Sequence, residues 1–110
     1  MALGSPTLGR VVQDGFDAAE RARVDGVGAS TLEWLHDTDA GMRVCVYRMT
    51  FGNARLCIGP ASWAVYDAGY CYDGVTRAVF SAATWIATGM GGEPDGWKKN
   101  LQTGEWKESA

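Results

Sequence analysis

A single histidine, three cysteines and three prolines are all that this 110-residue chain holds of those types, and each scarcity excludes something. With His36 alone, no histidine pair exists to bind a metal; His36-Asp37-Thr38-Asp39 reads as a polar loop rather than a metal or general-base site. Cys45, Cys57 and Cys71 are odd in number and form no C-x-x-C. A zinc ribbon, a thioredoxin-type site and a secreted disulfide scaffold are therefore set aside, and a reducing, cytoplasmic setting is expected. The longest uncharged run, Ala78 to Gly92, is closed by glycines. It falls short of the roughly 20 apolar residues a membrane span requires. The start, Met1-Ala2-Leu3-Gly4-Ser5-Pro6, lacks a basic region leading into an apolar stretch, so no secretion signal is expected. Neither a G-x-S-x-G elbow, a phosphate-binding P-loop nor a strand–G-x-G-x-x-G–helix unit occurs.

What is present is apolar and aromatic. Apolar residues make up 46% of the chain and tryptophan occurs five times, enough for a folded core in one domain spanning residues 1–110. The net charge of -3 argues against a basic nucleic-acid coat. Residues 1–40 hold seven acids against three arginines, a net of −4, while residues 41–110 hold seven bases against six acids, +1. The first 30 residues form an acidic helix and linker, and residues 31–110 an α+β core.

Ser5-Pro6 is a helix start, with serine as N-cap and proline at the first helical position. Leu8, Val11, Val12, Phe16 and Ala19 then recur at helical spacing, with Asp14, Asp17 and Glu20 opposite. Gly15 within this helix costs about 1 kcal/mol relative to alanine. Asp25-Gly26-Val27-Gly28 breaks the pattern, and Thr31–His36 reads as a strand. Met42–Phe51 and Ala54–Pro60 flank Gly52-Asn53, a pair suited to a two-residue hairpin loop. That loop sets Phe51 against Ala54, Met49 against Leu56, Tyr47 against Ile58 and Cys45 against Pro60 on an inner face. Val44, Val46, Arg48, Thr50, Arg55 and Cys57 fall on the other face. Cys45 and Cys57 then point apart and cannot bridge.

Trp63–Asp67 and Tyr70–Tyr72 read as short strands, and Asp73 as N-cap of a helix with Val75, Val79, Ala82, Ala83 and Ile86 inward. Arg77, Ser81, Thr84 and Thr88 face out. Gly89, Gly91, Gly92 and Pro94 end this helix. A last hairpin turns at Thr103-Gly104 with Leu101 against Trp106, or with a bulge at Gly104 and Leu101 against Glu105. The expected architecture is α+β: an antiparallel sheet of three to five strands with one main helix packed on it, plus the N-terminal helix.

Carboxylate pairs at Asp14/Asp17, Asp37/Asp39 and Glu93/Asp95 read as solvated, and Cys71 as a small buried group. The aromatic residues carry the functional expectation. Trp63, Tyr66, Tyr70, Tyr72, Trp97 and Trp106 crowd the second half beside Arg48, Arg55, Lys98 and Lys99. A domain this small cannot bury every ring, and rings left at a surface mark a binding face. Protein–protein contact is the leading expectation. A nucleotide stacked between rings and arginines is the second, and nucleic acid as such is disfavoured by the acidic balance. No catalytic residue, metal or cofactor is assigned. Self-association through an edge strand or the first helix is a further expectation.

Ile58-Gly59-Pro60, Tyr66-Asp67-Ala68-Gly69-Tyr70-Cys71-Tyr72, an alanine-rich helix ending near Trp85, Glu93-Pro94-Asp95-Gly96-Trp97 and Thr103-Gly104 follow one another in order. That succession, over about half the chain, resembles small accessory proteins of actinobacteria-infecting phages. The resemblance implies an accessory protein working in the cytoplasm of the infected host cell on a host protein. A minor structural part of the virion is the alternative role. It supplies no catalytic residues.

Overall fold

The computed structural model describes residues 8–61 and 66–107. Helix α1 (Leu8–Val24) is followed by strands β1 (Leu32–Asp37), β2 (Met42–Arg48), β3 (Ala54–Pro60) and β4 (Ala68–Tyr72), helix α2 (Val75–Ala87) and a short β5 (Lys99–Asn100). The five strands form one antiparallel sheet in sequence order. This is the expected α+β arrangement, with a radius of gyration of 13.6 Å.

Helix α2 lies across one face of the sheet. Val44 and Val46 of β2, Ala54, Leu56 and Ile58 of β3, and Tyr70 and Tyr72 of β4 meet Ala78, Val79, Ala82 and Ala83 there. Helix α1 packs against α2 and against β1, the edge strand of the sheet, where Arg23 donates to the Leu32 carbonyl. The contact turns on Gly15, where an added Cβ would stand 2.0 Å from Trp34 Nε1. The bare helix backbone is the notch that admits the Trp34 indole, whose N–H donates to the Val12 carbonyl at 2.9 Å. The glycine that weakens α1 on propensity is what lets the helix dock.

The Gly52-Asn53 hairpin exists, but its register differs from the one a two-residue loop dictates. Arg48 pairs with Ala54, Val46 with Leu56, Cys45 with Cys57 and Val44 with Ile58. The connection is a longer turn built on Thr50–Gly52, with Phe51 and Gly52 both at positive φ. The change in loop length moves β2 by an odd number of residues and exchanges its faces. Val44 and Val46 therefore enter the core, while Cys45 and Tyr47 pass to the far side. Two β-branched valines against α2 bury more apolar area than a cysteine and a tyrosine with a hydroxyl to satisfy, so burial selects this register.

Asp73 does not cap α2. Gly74 occupies the N-cap position with no side-chain bond, and the Asp73 carboxylate instead accepts from Lys98 Nζ at 2.8 Å. Ser81, expected outside, is drawn in by the Tyr72 hydroxyl at 2.7 Å and the Asp95 carbonyl. Tyr66 and Asp67 lie outside any strand, and the rest of the Trp63–Asp67 segment, like Ser5-Pro6, falls outside the described residues. The final turn is made by Asn100, whose Oδ1 accepts from the backbone N–H of Gln102 and Thr103 at 2.9 and 3.2 Å. Lys99 consequently pairs with Trp106, and Leu101 pairs with neither Trp106 nor Glu105.

Candidate functional site

Among the described residues, no helix lies across the second face of the sheet; the C-terminal half of α1 reaches its β1 border, where Ala19 and Ala22 meet Leu32, Leu35 and Cys45. Strand alternation assigns the residues of this face directly. One transverse row crosses four strands and ends on the terminal turn: Tyr47 opposite Arg55, Arg55 opposite Cys71, Cys71 opposite Lys99, and Lys99 opposite Trp106. The next row holds Leu35, Cys45, Cys57 and Gly69.

The row has a ring at each end, a cation inside each ring and the Cys71 thiol between the two cations. Trp106 is 63% exposed, and Lys99 Nζ sits 4.9 Å from its ring centroid in a cation–π contact. Among the described residues, neither Arg55 nor Lys99 takes part in an ion pair. Arg43, on the same face, is held by both carboxylate oxygens of Asp37 at 2.7 and 3.0 Å. That paired bond depresses the Asp37 carboxyl and raises the Arg43 guanidinium further. Arg43, Arg55 and Lys99 thus share a strand face with the Asp37 carboxylate, in a chain that is acidic overall.

Toward β1 the face dips into a recess of about 470 Å³, lined by Leu32, Leu35, Arg43, Cys45, Tyr47 and Tyr66 among others. The Tyr47 and Tyr66 hydroxyls lie 2.8 Å apart, and the Tyr66 hydroxyl donates to Cys45 Sγ at 3.7 Å. Burial pushes both phenols and the Cys45 thiol above their ordinary values, so all three are protonated at neutral pH. None is an activated nucleophile. Among the described residues no cluster of three metal-ligating side chains occurs, and no helix is long and apolar enough to cross a membrane.

Of the residues expected to bind, the sheet brings Arg55, Lys99 and Trp106 together on this face, with Tyr66 half-buried in the recess. Tyr70, Tyr72 and Trp97 are buried and belong to the core, which corrects the expectation that their rings are available to a partner. The reason is parity: Tyr70 and Tyr72 alternate onto the face that α2 covers, and Trp97 packs on Tyr70 with centroids 5.4 Å apart. Arg48 is spent on Glu33 at 2.7 Å. Lys98 is spent on Asp73 and on Asn53 Oδ1 at 2.7 Å, tying the hairpin loop to the start of α2. Trp63 lies outside the described residues.

The β2–β3 tip adds a residue that periodicity assigned to the interior. Phe51 is 98% exposed with φ at 58°, a left-handed backbone that a bulky side chain adopts at a cost. Met49, also exposed, flanks it. The tip extends from the end of the sheet that carries Tyr47 and Arg55. No protein-family model matches the sequence, and neither a curated protein nor a solved structure matches the chain.

Proposed function

We propose that this chain is a non-enzymatic accessory protein that grips a partner protein with the helix-free face of its sheet and the hairpin tip beside it. Carrying the phage resemblance forward, the partner is a protein of the infected cell, met in its cytoplasm. The observation that supports the reading most is the row Tyr47–Arg55–Cys71–Lys99–Trp106, in which two cations that, among the described residues, take part in no ion pair are flanked by a ring at each end on a face that no described helix crosses. Interfaces are enriched in aromatic residues, arginine and methionine. Two cations set two strands apart and, among the described residues, outside any ion pair favour a partner that presents carboxylates, and complementary charge of this kind speeds encounter. Phe51 supplies what charge does not, an apolar anchor whose burial in a partner's pocket is worth about 1.5–3 kcal/mol.

A second reading rests on the same row. An anionic aromatic molecule such as a nucleotide fits between the Trp106 ring and the Arg55 and Lys99 charges, and a stacked base contributes about 1–3 kcal/mol. Partner capture from infected-cell lysate separates the two readings when wild type is compared with Phe51→Asn and with Arg55→Glu/Lys99→Glu. Loss of a stoichiometric partner protein in both variants supports a protein interface. Saturable quenching of tryptophan fluorescence by nucleotides, abolished by Arg55→Glu/Lys99→Glu and untouched by Phe51→Asn, supports a ligand. Incorporation of the chain into purified particles with neither effect overturns both.

A further inference from the structure

Three thiols share the helix-free face, and the register decides which two can meet. Cys45 stands directly opposite Cys57 on adjacent antiparallel strands. The backbone bonds from Met49 N to Asn53 O and from Ala61 N to Gly41 O mark the pairs 49/53 and 41/61 as hydrogen-bonded. Because such pairs alternate, 45/57 is hydrogen-bonded as well, with a Cα separation of about 5.5 Å. That falls inside the Cα range of about 4.4–6.8 Å spanned by disulfides, while the Cβ atoms of a hydrogen-bonded pair start near about 5.5 Å and must draw in to about 3.8 Å, so closing the bond pulls β2 and β3 together locally. Cys71 is excluded by the same arithmetic. Gly69, not Cys71, lies opposite Cys57. Cys71 is therefore a diagonal neighbour at about 7–8 Å. Cys45 is two strands and two residues away from Cys71, about 12 Å.

The surroundings leave room for the bond. Cys57 is flanked on its own face by glycine at 59 along the strand and at 69 across it. Both thiols are free, and each is only 1% exposed. The Tyr66 hydroxyl donates to Cys45 Sγ, which favours its thiolate over that of Cys57. Burial keeps both thiols protonated at neutral pH, the Cys57 thiol being pushed up to about 11.

We propose that Cys45 and Cys57 form a reversible intramolecular disulfide when the chain meets a low-molecular-weight disulfide such as oxidised glutathione. The Cys45 thiolate attacks one sulfur of the oxidant, whose S–S bond breaks and releases one small thiol. The Cys57 sulfur then attacks Cys45 Sγ in the mixed disulfide, forming the protein S–S bond and expelling a second small thiol. The two protons lost from Cys45 and Cys57 end on the two released thiols, and the two electrons reduce the oxidant. Burial makes the exchange slow, on a scale of minutes to hours. The product staples β2 to β3 below the tip that carries Phe51. The assignment does not depend on what that tip binds.

The test treats the folded full chain with oxidised glutathione, quenches with acid, blocks residual thiols and maps the peptides by mass spectrometry. The expected result is a fall from three free thiols to one, the loss of two hydrogens in mass, and a Cys45–Cys57 linkage. It should exceed either pairing with Cys71 by at least about tenfold. Dithiothreitol should restore all three thiols, Cys71→Ala should retain the linkage, and Cys57→Ala should abolish it. The same oxidation in concentrated urea should distribute bridges among all three pairings, showing that the fold makes the choice. Three persisting thiols in the folded chain, a bridge dominated by Cys71, or stable glutathione adducts in place of the internal bond would each overturn the proposal.

Discussion

Gly15 and Phe51 each carry a conformational cost, and only at Gly15 does the packing of the molecule offset it. At Gly15 the helix gives up propensity so that Trp34 can lie against its backbone. Gly15→Ala gains about 1 kcal/mol of intrinsic helix stability and forces the indole out of its notch, an overpacking of about 1–3 kcal/mol. The second effect exceeds the first because the obstructing atoms are a buried ring bonded to Val12, not the free end of a flexible chain. Urea denaturation should therefore show a net loss of stability for a substitution that stabilises most helices. Phe51 behaves in the opposite sense. With 98% of its surface in water it contributes nothing to the core, yet it holds a left-handed backbone. Asparagine tolerates that conformation better, so Phe51→Asn should raise stability by about 1 kcal/mol while removing the anchor. A stabilising variant that binds no partner is the expected signature; one that binds unchanged would remove Phe51 from the interface.

Among the elements, helices and strands were legible in the sequence and turns were not. Apolar spacing marked α1, α2 and the β2–β3 pair because a buried face repeats at a fixed period. Both hairpins differ from their sequence-based expectation in one way: each loop is longer than its turn dipeptide implies. At Gly52-Asn53 the dipeptide signal is real, but the tip also includes Thr50 and Phe51, and an exposed phenylalanine gives no local sign that it is outside. At the C-terminal end Thr103-Gly104 drew attention from Asn100, whose carbonyl oxygen organises the turn from below. Each error shifted a register, and the first transferred Cys45 and Tyr47 to the face proposed to bind. The candidate site was legible in its cations and in Trp106, because these are polar or terminal. It was illegible in Tyr70, Tyr72 and Trp97, because only the position of α2 decides which side of the sheet is covered. The Asn100 turn gives a direct check. Asn100→Ala leaves two backbone N–H groups without their acceptor, so it should cost about 1–2 kcal/mol. The Lys99–Trp106 contact should loosen with it, read as a shift in tryptophan emission.

At the scale of the whole molecule, the pH limits of stability follow from where the polar groups are buried. On the acid side the Asp37 carboxyl is lowered, first by its hydrogen bonds to Arg43. A carboxyl lowered by folding contributes stability that is present above its ordinary value of 3.8 and fades as pH falls below it. The pair is half-exposed, so this limb is shallow, and Asp37→Asn should flatten it. The alkaline limb is steeper because several buried groups act in one direction, the Cys45 and Cys57 thiols from an ordinary value of 9.0 and then the four phenols. Tyr47, Tyr66, Tyr70 and Tyr72 are all raised, in each case first by burial of the phenol. A group whose pKa rises on folding contributes stability that is complete below its ordinary value, here 10.0, and is lost as pH climbs through the folded value. In the unfolded chain these phenols ionise near 10.0 and draw the equilibrium toward unfolding as pH rises. Two of them, Tyr70 and Tyr72, tie β4 to α2 and the loop after it, so they cannot ionise while that packing stands. An alkaline titration followed by phenolate absorbance and circular dichroism together should show the buried tyrosines ionising in a cooperative step that coincides with loss of structure. Tyr72→Phe removes one ionisable group but leaves the Asp95 carbonyl with Ser81 alone, so it should shift that step to higher pH while lowering stability at neutral pH. Independent ionisation of all four phenols near 10.0, with the circular dichroism unchanged, would contradict the burial from which this limb is derived.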